Sequence, residues 1–217
     1  MKTMCYKEII SNLKADIKKY NGGSSHDYYH LIRVFNNAAN ISNEMEITEE
    51  EEFIVLASAL LHDIGKNSVN DSTKKDDHEK KSSLLARNIL EEYQVSEKVI
   101  SAVESCILNH RASKKTKTDD IFVQILCDAD KLDALGAIAI ARTFSYDSSR
   151  PIHLPEDAPK EEYDGISNSS LNHIIEKVLK LTPETFYTGS AKRIAKGRLD
   201  YVQNYVAEFL GEWNGER

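Results

Sequence analysis

Leu60-Leu61-His62-Asp63-Ile64-Gly65-Lys66 is the stretch on which the reading of this chain turns. It closes an apolar run that begins at Phe53. An apolar helix that reaches the core does not end on an imidazole beside a carboxylate unless both find partners, because an uncompensated buried charge is costly. A metal ion is one such partner. Imidazole nitrogen and carboxylate oxygen together suit the borderline divalent metals, and the two adjacent side chains converge if the last turn opens at Gly65. The plainer reading pairs Asp63 with Lys66, three residues on, and turns His62 to solvent.

Upstream, His26-Asp27-Tyr28-Tyr29-His30-Leu31-Ile32-Arg33-Val34 places His26, His30 and Arg33 on one helical face. His30 sits one turn before apolar Val34 and so looks inward, either as a ligand or as a hydrogen-bonded core histidine. Asp27 falls where an acid favours the helix dipole. Downstream, Cys127-Asp128-Ala129-Asp130-Lys131-Leu132-Asp133 sets three acids in an otherwise apolar segment. Asp130 and Asp133 share a helical face, while Asp128 is rotated away from Asp130. A solvated acidic stripe is the simple account, but Ile125, Leu126, Leu132 and Leu135 bracket the acids closely and argue against full exposure.

Apolar residues recur at helical spacing along nearly the whole chain, and no strand alternation competes with them. The fold class expected is all-α, with helices at about 4–20, 27–43, 49–65, 79–93, 96–110, 121–145, 168–181 and 184–211. Thr48 and Glu51 have capping-box spacing. Two loops interrupt the pattern. Lys66 to Asp77 is polar and rich in lysine and aspartate, and Ser148 to Ser167 carries Pro151, Pro155, Pro159 and Gly165, which forbid a continuous helix. A single domain over 1–217 is expected, with 148–167 as a lid or a connection.

A net charge of −7 excludes long nucleic acid as the main partner, because such partners call for a concentrated basic face. A small phosphorylated ligand remains compatible, since a bound cation supplies the missing positive charge. Cys5, Cys106 and Cys127 are an odd set without short paired spacing, so a reducing cytoplasm is the expected compartment. The longest apolar run, Phe53 to Leu61, is too short to span a bilayer, and no signal-peptide core opens the chain, so no membrane partner is expected. Nothing in the sequence specifies an oligomer.

Taken in order, His30, then His62-Asp63, then Asp130 resembles the H, HD and D pattern of the HD-domain superfamily of metal-dependent phosphohydrolases. The flanking residues agree: Ala-Leu-Leu-His-Asp-Ile-Gly-Lys from Ala59, and Asp-Ala-Asp-Lys-Leu-Asp-Ala-Leu-Gly-Ala from Asp128. The likeness continues through His173-Ile-Ile-Glu176-Lys177 and the last long helix, as in stand-alone bacterial HD hydrolases. It implies a compact helical bundle with a divalent metal ion (Mn, Fe, Co, Ni, Zn or Mg) between helices, held by His30, His62, Asp63 and Asp130. The activity implied is hydrolysis of phosphomonoester or phosphoanhydride bonds in a nucleotide or another small phosphorylated metabolite. The nucleophile would be a metal-bound water, whose pKa a divalent cation lowers from about 15.7 toward about 7.

Around that set, Asp63 is also the candidate to orient or deprotonate the attacking water, with Asp133 supporting it and Lys66 reaching a phosphate. Both have plainer roles, as a surface acid and as a solvated lysine. His78 and His110 fall between the HD pair and the last Asp, where two-metal members of the superfamily place a second ion site. They either complete such a site or bind phosphate around a single ion, with Arg111, Lys131 and Arg142 as further phosphate-binding candidates. Two other functions fit the resemblance: a di-iron oxygenase, which needs the second ion, and a nucleotide sensor without activity.

Overall fold

The structure, a computed structural model, describes residues 4–20, 27–66, 78–110 and 118–217. His26, Arg111 and most of the polar loop after Lys66 therefore lie outside the described residues. Among the described residues the regular elements are helical. They are α1 (Tyr6–Asp16), α2 (Tyr28–Ser42), α3 (Glu49–Leu61), α4 (His78–Glu92), α5 (Glu97–Asn109), α6 (Ile121–Asp133), α7 (Ala137–Tyr146), α8 (Ser170–Glu176) and α9 (Gly189–Trp213). The fold is thus all-α, as the periodicity implies.

The chain divides into two compact units, Met1–Asp130 and Lys131–Arg217, with the boundary inside α6. In the first unit α3 packs against α1, α2, α4 and α5. Phe53, Ile54, Val55, Ala57, Ala59, Leu60 and Leu61 are all buried, which is what a helix with apolar residues on most of its circumference requires. Each of its large side chains contributes about 1.5–3 kcal/mol by leaving water. The helix starts at a capping box: Glu51 N–H donates to Thr48 Oγ1 at 3.3 Å, and Thr48 N–H donates to Glu51 Oε2 at 2.8 Å. Asp27 caps α2 by accepting from His30 N–H at 2.9 Å, which fixes His30 in the first helical turn. The buried Asn37 side chain then ties α2 to α6 by donating to Ala129 O at 3.0 Å.

Several expected helices are shorter in the structure: that over 4–20 is α-helical from Tyr6 to Asp16 and 3-10 from Ile17 to Tyr20, and that over 49–65 ends at Leu61. The stretch expected as one helix over 121–145 is broken at 134–136, where Gly136 takes a φ of +96°. That left-handed conformation is cheap only for glycine. Arg198 braces the bend by donating from Nη1 to Leu132 O, and a Cβ on Gly136 would lie 3.2 Å from Arg198 Cβ. The helix expected over 168–181 is α-helical only from Ser170 to Glu176, followed by a 3-10 turn at Val178–Lys180. The last helix begins at Gly189, where the Thr188 hydroxyl accepts from Ala191 N–H, after a 3-10 turn at Pro183–Thr185.

In the second unit α7 packs against α8 and α9. The proline-rich loop before α8 has no regular structure but is tied to that helix. Ser170 N–H and Leu171 N–H donate to Pro151 O and Ile152 O, each at 2.9 Å. Lys160 N–H donates to the buried Glu176 Oε1 at 2.9 Å, and Ser167 Oγ donates to its Oε2. Among the described residues no helix is long and apolar enough to cross a membrane.

Candidate metal centre

Helix termini in the first unit supply most of the polar side chains of the centre. His62 and His110 are the residues that close α3 and α5, His78 opens α4, His30 lies in the first turn of α2, and Asp130 comes from α6. A helix end leaves its last carbonyls without intrahelical partners. Two of the histidines use this. His62 Nδ1 lies 2.9 Å from Ala59 O and His110 Nδ1 lies 2.6 Å from Ile107 O. A carbonyl only accepts, so each Nδ1 carries a proton, and Nε2 is the ring nitrogen left to face the cluster. This backbone hold on one ring nitrogen is how metal-ligating histidines are commonly oriented.

The Nε2 atoms converge on carboxylates. His30 Nε2 is 3.6 Å from Asp63 Oδ2 and 3.5 Å from Asp130 Oδ1. His62 Nε2 is 3.5 Å from Asp63 Oδ2 and 3.9 Å from Asp130 Oδ1. On the opposite oxygen of the same carboxylate, Asp63 Oδ1, His78 Nε2 stands at 3.7 Å and His110 Nε2 at 3.9 Å. The ligand atoms form three overlapping groups, His30-His62-Asp63, His62-His110-Asp130 and Asp63-His78-His110, each within 4.8 Å. The cluster can therefore hold a metal ion. His62 tests the fit most sharply, because its Nε2 is buried and makes no hydrogen bond. Burial pushes the His62 pKa down to about 4 against the opposing pull of Asp63 and Asp130, so near neutral pH the ring is an uncharged nitrogen donor. Imidazole nitrogens with carboxylate oxygens are the donor set that divalent first-row ions accept.

Gly65 sets the spacing of this arrangement. Its N–H donates to Ser82 Oγ at 3.0 Å, and a Cβ there would lie 2.6 Å from Ser82 N and 2.9 Å from His78 O. The turn after α3 can press against the first turn of α4 only without a side chain, and that approach brings His78 to Asp63. Lys66 Nζ meets Asp63 Oδ2 at 2.6 Å, forming the three-apart ion pair that the sequence offers as the plainer reading.

Other candidates have partners of their own. Asp133 and Arg142, both in the second unit, pair with each other at 2.6 Å. Lys131 donates to Thr185 O and stands over the Phe186 ring, 5.0 Å from its centroid. Two buried acids have no role assigned from the sequence, Glu79 beside His78 and Asp128, which is fully buried. The burial of Asp128 agrees with the apolar residues that bracket it.

Residues 27–135 match the HD domain family, a span that contains every histidine and carboxylate of the cluster. An HD-superfamily hydrolase from Bacillus thuringiensis has a similar structure: it is 32% identical, covers 96% of this chain over 98% of its own, and superimposes with a TM-score of 0.74. The chain belongs to the HD-domain family. A predicted HD-superfamily hydrolase from an uncultured Thermotogales bacterium resembles this HD protein at 28% identity and a TM-score of 0.65, covering 95% of this chain and 92% of the other. YpgQ of Bacillus subtilis is 26% identical over 185 residues, 85% of this chain and 83% of YpgQ. YpgQ has also been crystallised in complex with ADP, and that structure superimposes with a TM-score of 0.66 at 23% identity, covering 94% of this chain and 96% of YpgQ.

Proposed function

We propose that this HD protein is a metal-dependent hydrolase of phosphomonoester or phosphoanhydride bonds in a nucleotide or other small phosphorylated metabolite, acting as one domain. The observation that carries the reading is the buried His62 Nε2, which makes no hydrogen bond and lies among carboxylate oxygens at 3.5 and 3.9 Å. His30, His62, Asp63 and Asp130 would hold the ion. A divalent cation supplies positive charge for phosphoryl oxygens and acidifies a water. The chain's own groups do the rest. Asp63, with its second oxygen turned away from His30 and His62, accepts a proton from the attacking water. Lys66 neutralises the edge of the centre for a phosphoryl oxygen, while Lys131 and an Arg142 fixed by Asp133 are phosphate-binding cations. The ADP complex of YpgQ supports a nucleotide as ligand. Free thiols at Cys5, Cys106 and Cys127 suit a reducing cytoplasm.

A second reading is favoured by the geometry at Asp63 Oδ1. His110 has committed its Nδ1–H to Ile107 O, which leaves Nε2 facing Asp63 Oδ1 at 3.9 Å, in a group of three ligand atoms that can hold an ion. With His78 at 3.7 Å from the same Oδ1, a second ion and the di-iron oxygenase chemistry that needs it become accessible. One experiment separates these readings. Metal-stripped protein is reloaded with Mn²⁺, Co²⁺, Ni²⁺, Fe²⁺ or Mg²⁺ and screened against phosphorylated metabolites for phosphate or pyrophosphate release, with metal content measured in parallel. Release from a nucleotide with any of these ions supports the hydrolase. One ion per chain removes the oxygenase, and tight ADP binding with no turnover makes the protein a sensor instead.

A further inference from the structure

Positive charges gather in the second unit around α8. The loop bound to α8 carries Tyr163 to His173 and Lys177, while Arg150 lies 5.8 Å over the Tyr146 ring of α7. Tyr163 meets the His173 ring edge-on, at 5.4 Å between centroids and 84° between planes, and Lys177 Nζ lies 5.3 Å over the Tyr163 ring. Lys177 is solvent-accessible, yet loss of solvent around its ammonium is the largest of the causes that lower its pKa, and the field of Arg142 adds to it.

Around His173 and Lys177 the charges are unbalanced. His173 is held down to about pKa 4 by burial, then by Lys177 and Arg150, with only Glu176 opposing. Glu176 is itself committed to Lys160 N–H and Ser167 Oγ, and Arg142 is committed to Asp133. Among the described residues Lys177 Nζ has the Tyr163 ring and no hydrogen bond or ion pair with a carboxylate. His173 Nδ1 is buried and makes no hydrogen bond. A lysine at a helix C-terminus is favoured by the dipole, but that does not account for the positive field of Arg142 at Lys177 or that of Arg150 at His173. An oxyanion does, because it converts mutual repulsion into charge-assisted hydrogen bonds.

We propose that Lys177, with Arg150, His173 and Tyr163 around it, forms a binding site for a phosphate group in the second unit. The inference rests on the hydrolase reading only for the source of that phosphate, the substrate or its released product.

The test is NMR of the ¹⁵N-histidine-labelled full chain kept in Mg²⁺, with the His173 ring signals assigned from the His173→Asn variant. Inorganic phosphate, ADP and adenosine are titrated at constant ionic strength. The His173 signals should move saturably with phosphate or ADP and not with adenosine. Lys177→Met should weaken that response by about tenfold or more, and Lys177→Arg should retain most of it. Movement with phosphate alone identifies the free ion as ligand, and movement with ADP alone identifies a substrate phosphate. Unmoved His173 signals, an equal response to adenosine, or an unchanged affinity in Lys177→Met overturns the proposal. Turnover with an unmoved His173 leaves the hydrolase standing without this site, whereas phosphate binding in a chain without turnover does the reverse.

Discussion

His62 and His173 are imidazoles brought to the same pKa, about 4, by loss of solvent, yet they stand in opposite company. Around His62 the neighbours are Asp63 and Asp130, which pull against burial; around His173 they are Lys177 and Arg150, which push with it. The first ring, its Nδ1–H held by Ala59 O, presents a lone pair among negative charges and is arranged for a cation. The second lies in a positive field and is arranged for an anion. Burial alone therefore does not specify what a histidine does. The sign of the charges around it, and which ring nitrogen the backbone has already engaged, decide that.

Removing the negative company should have the largest effect. Asp63→Ala takes away the carboxylate that faces four imidazoles, so phosphohydrolase activity should fall to background while the far-UV circular dichroism stays helical. Turnover retained in that variant would sink the proposed centre.

Acid should expose the cost of a buried neutral imidazole. Between the ordinary His62 value of 6.5 and its folded value of about 4, the unfolded chain binds a proton that the folded chain does not. The stabilisation is therefore complete above the upper value and is lost as pH falls through this window. For His62 it amounts to roughly 3 kcal/mol in the metal-free chain. His173 acts in the same direction but less, being closer to water. Urea unfolding of metal-free wild type and His62→Asn across this range checks it, and the slope should flatten in the variant. Equal slopes would mean that His62 is not the group responsible.

Gly65→Ala probes spacing rather than charge. The new methyl group would meet Ser82 N at 2.6 Å, Lys81 Cβ at 2.8 Å and His78 O at 2.9 Å. Relieving it should cost about 1–3 kcal/mol, or about 2–4 °C of Tm per kcal/mol, and move His78 away from Asp63. Calorimetry with a metal titration would show both effects, and an unchanged Tm would contradict the contact. Thr48→Ala is the small control: losing the cap of α3 should cost about 1 kcal/mol and leave metal affinity unaltered. A large affinity change there would mean that the centre answers to general stability rather than to its own geometry.

Local rules made much of this legible. The capping spacing of Thr48 and Glu51, the inward face at Leu31, Val34 and Ala38, and the unbroken apolar run of α3 all appear in the structure as the sequence suggests. The convergence of His30, His62 and Asp130 was readable only through the family pattern, since no local rule brings residues of three helices to one point. The break at Gly136 is obscured by helical periodicity on both sides, and its signal was a single glycine. Asp128 reads as the misplaced acid on a helical wheel, yet it is buried. The cluster at Lys177 depends on a loop folding back onto α8 through Glu176, a contact that spacing does not encode.

The account's central claim is that the convergent histidines and carboxylates hold a divalent ion. Elemental analysis of the full chain, stripped, reloaded with Mn²⁺ and desalted, tests it most directly. Wild type should retain at least one ion per chain, and Asp63→Ala should retain only background. A wild-type chain that emerges without metal, or an Asp63→Ala chain that keeps as much, would contradict the account.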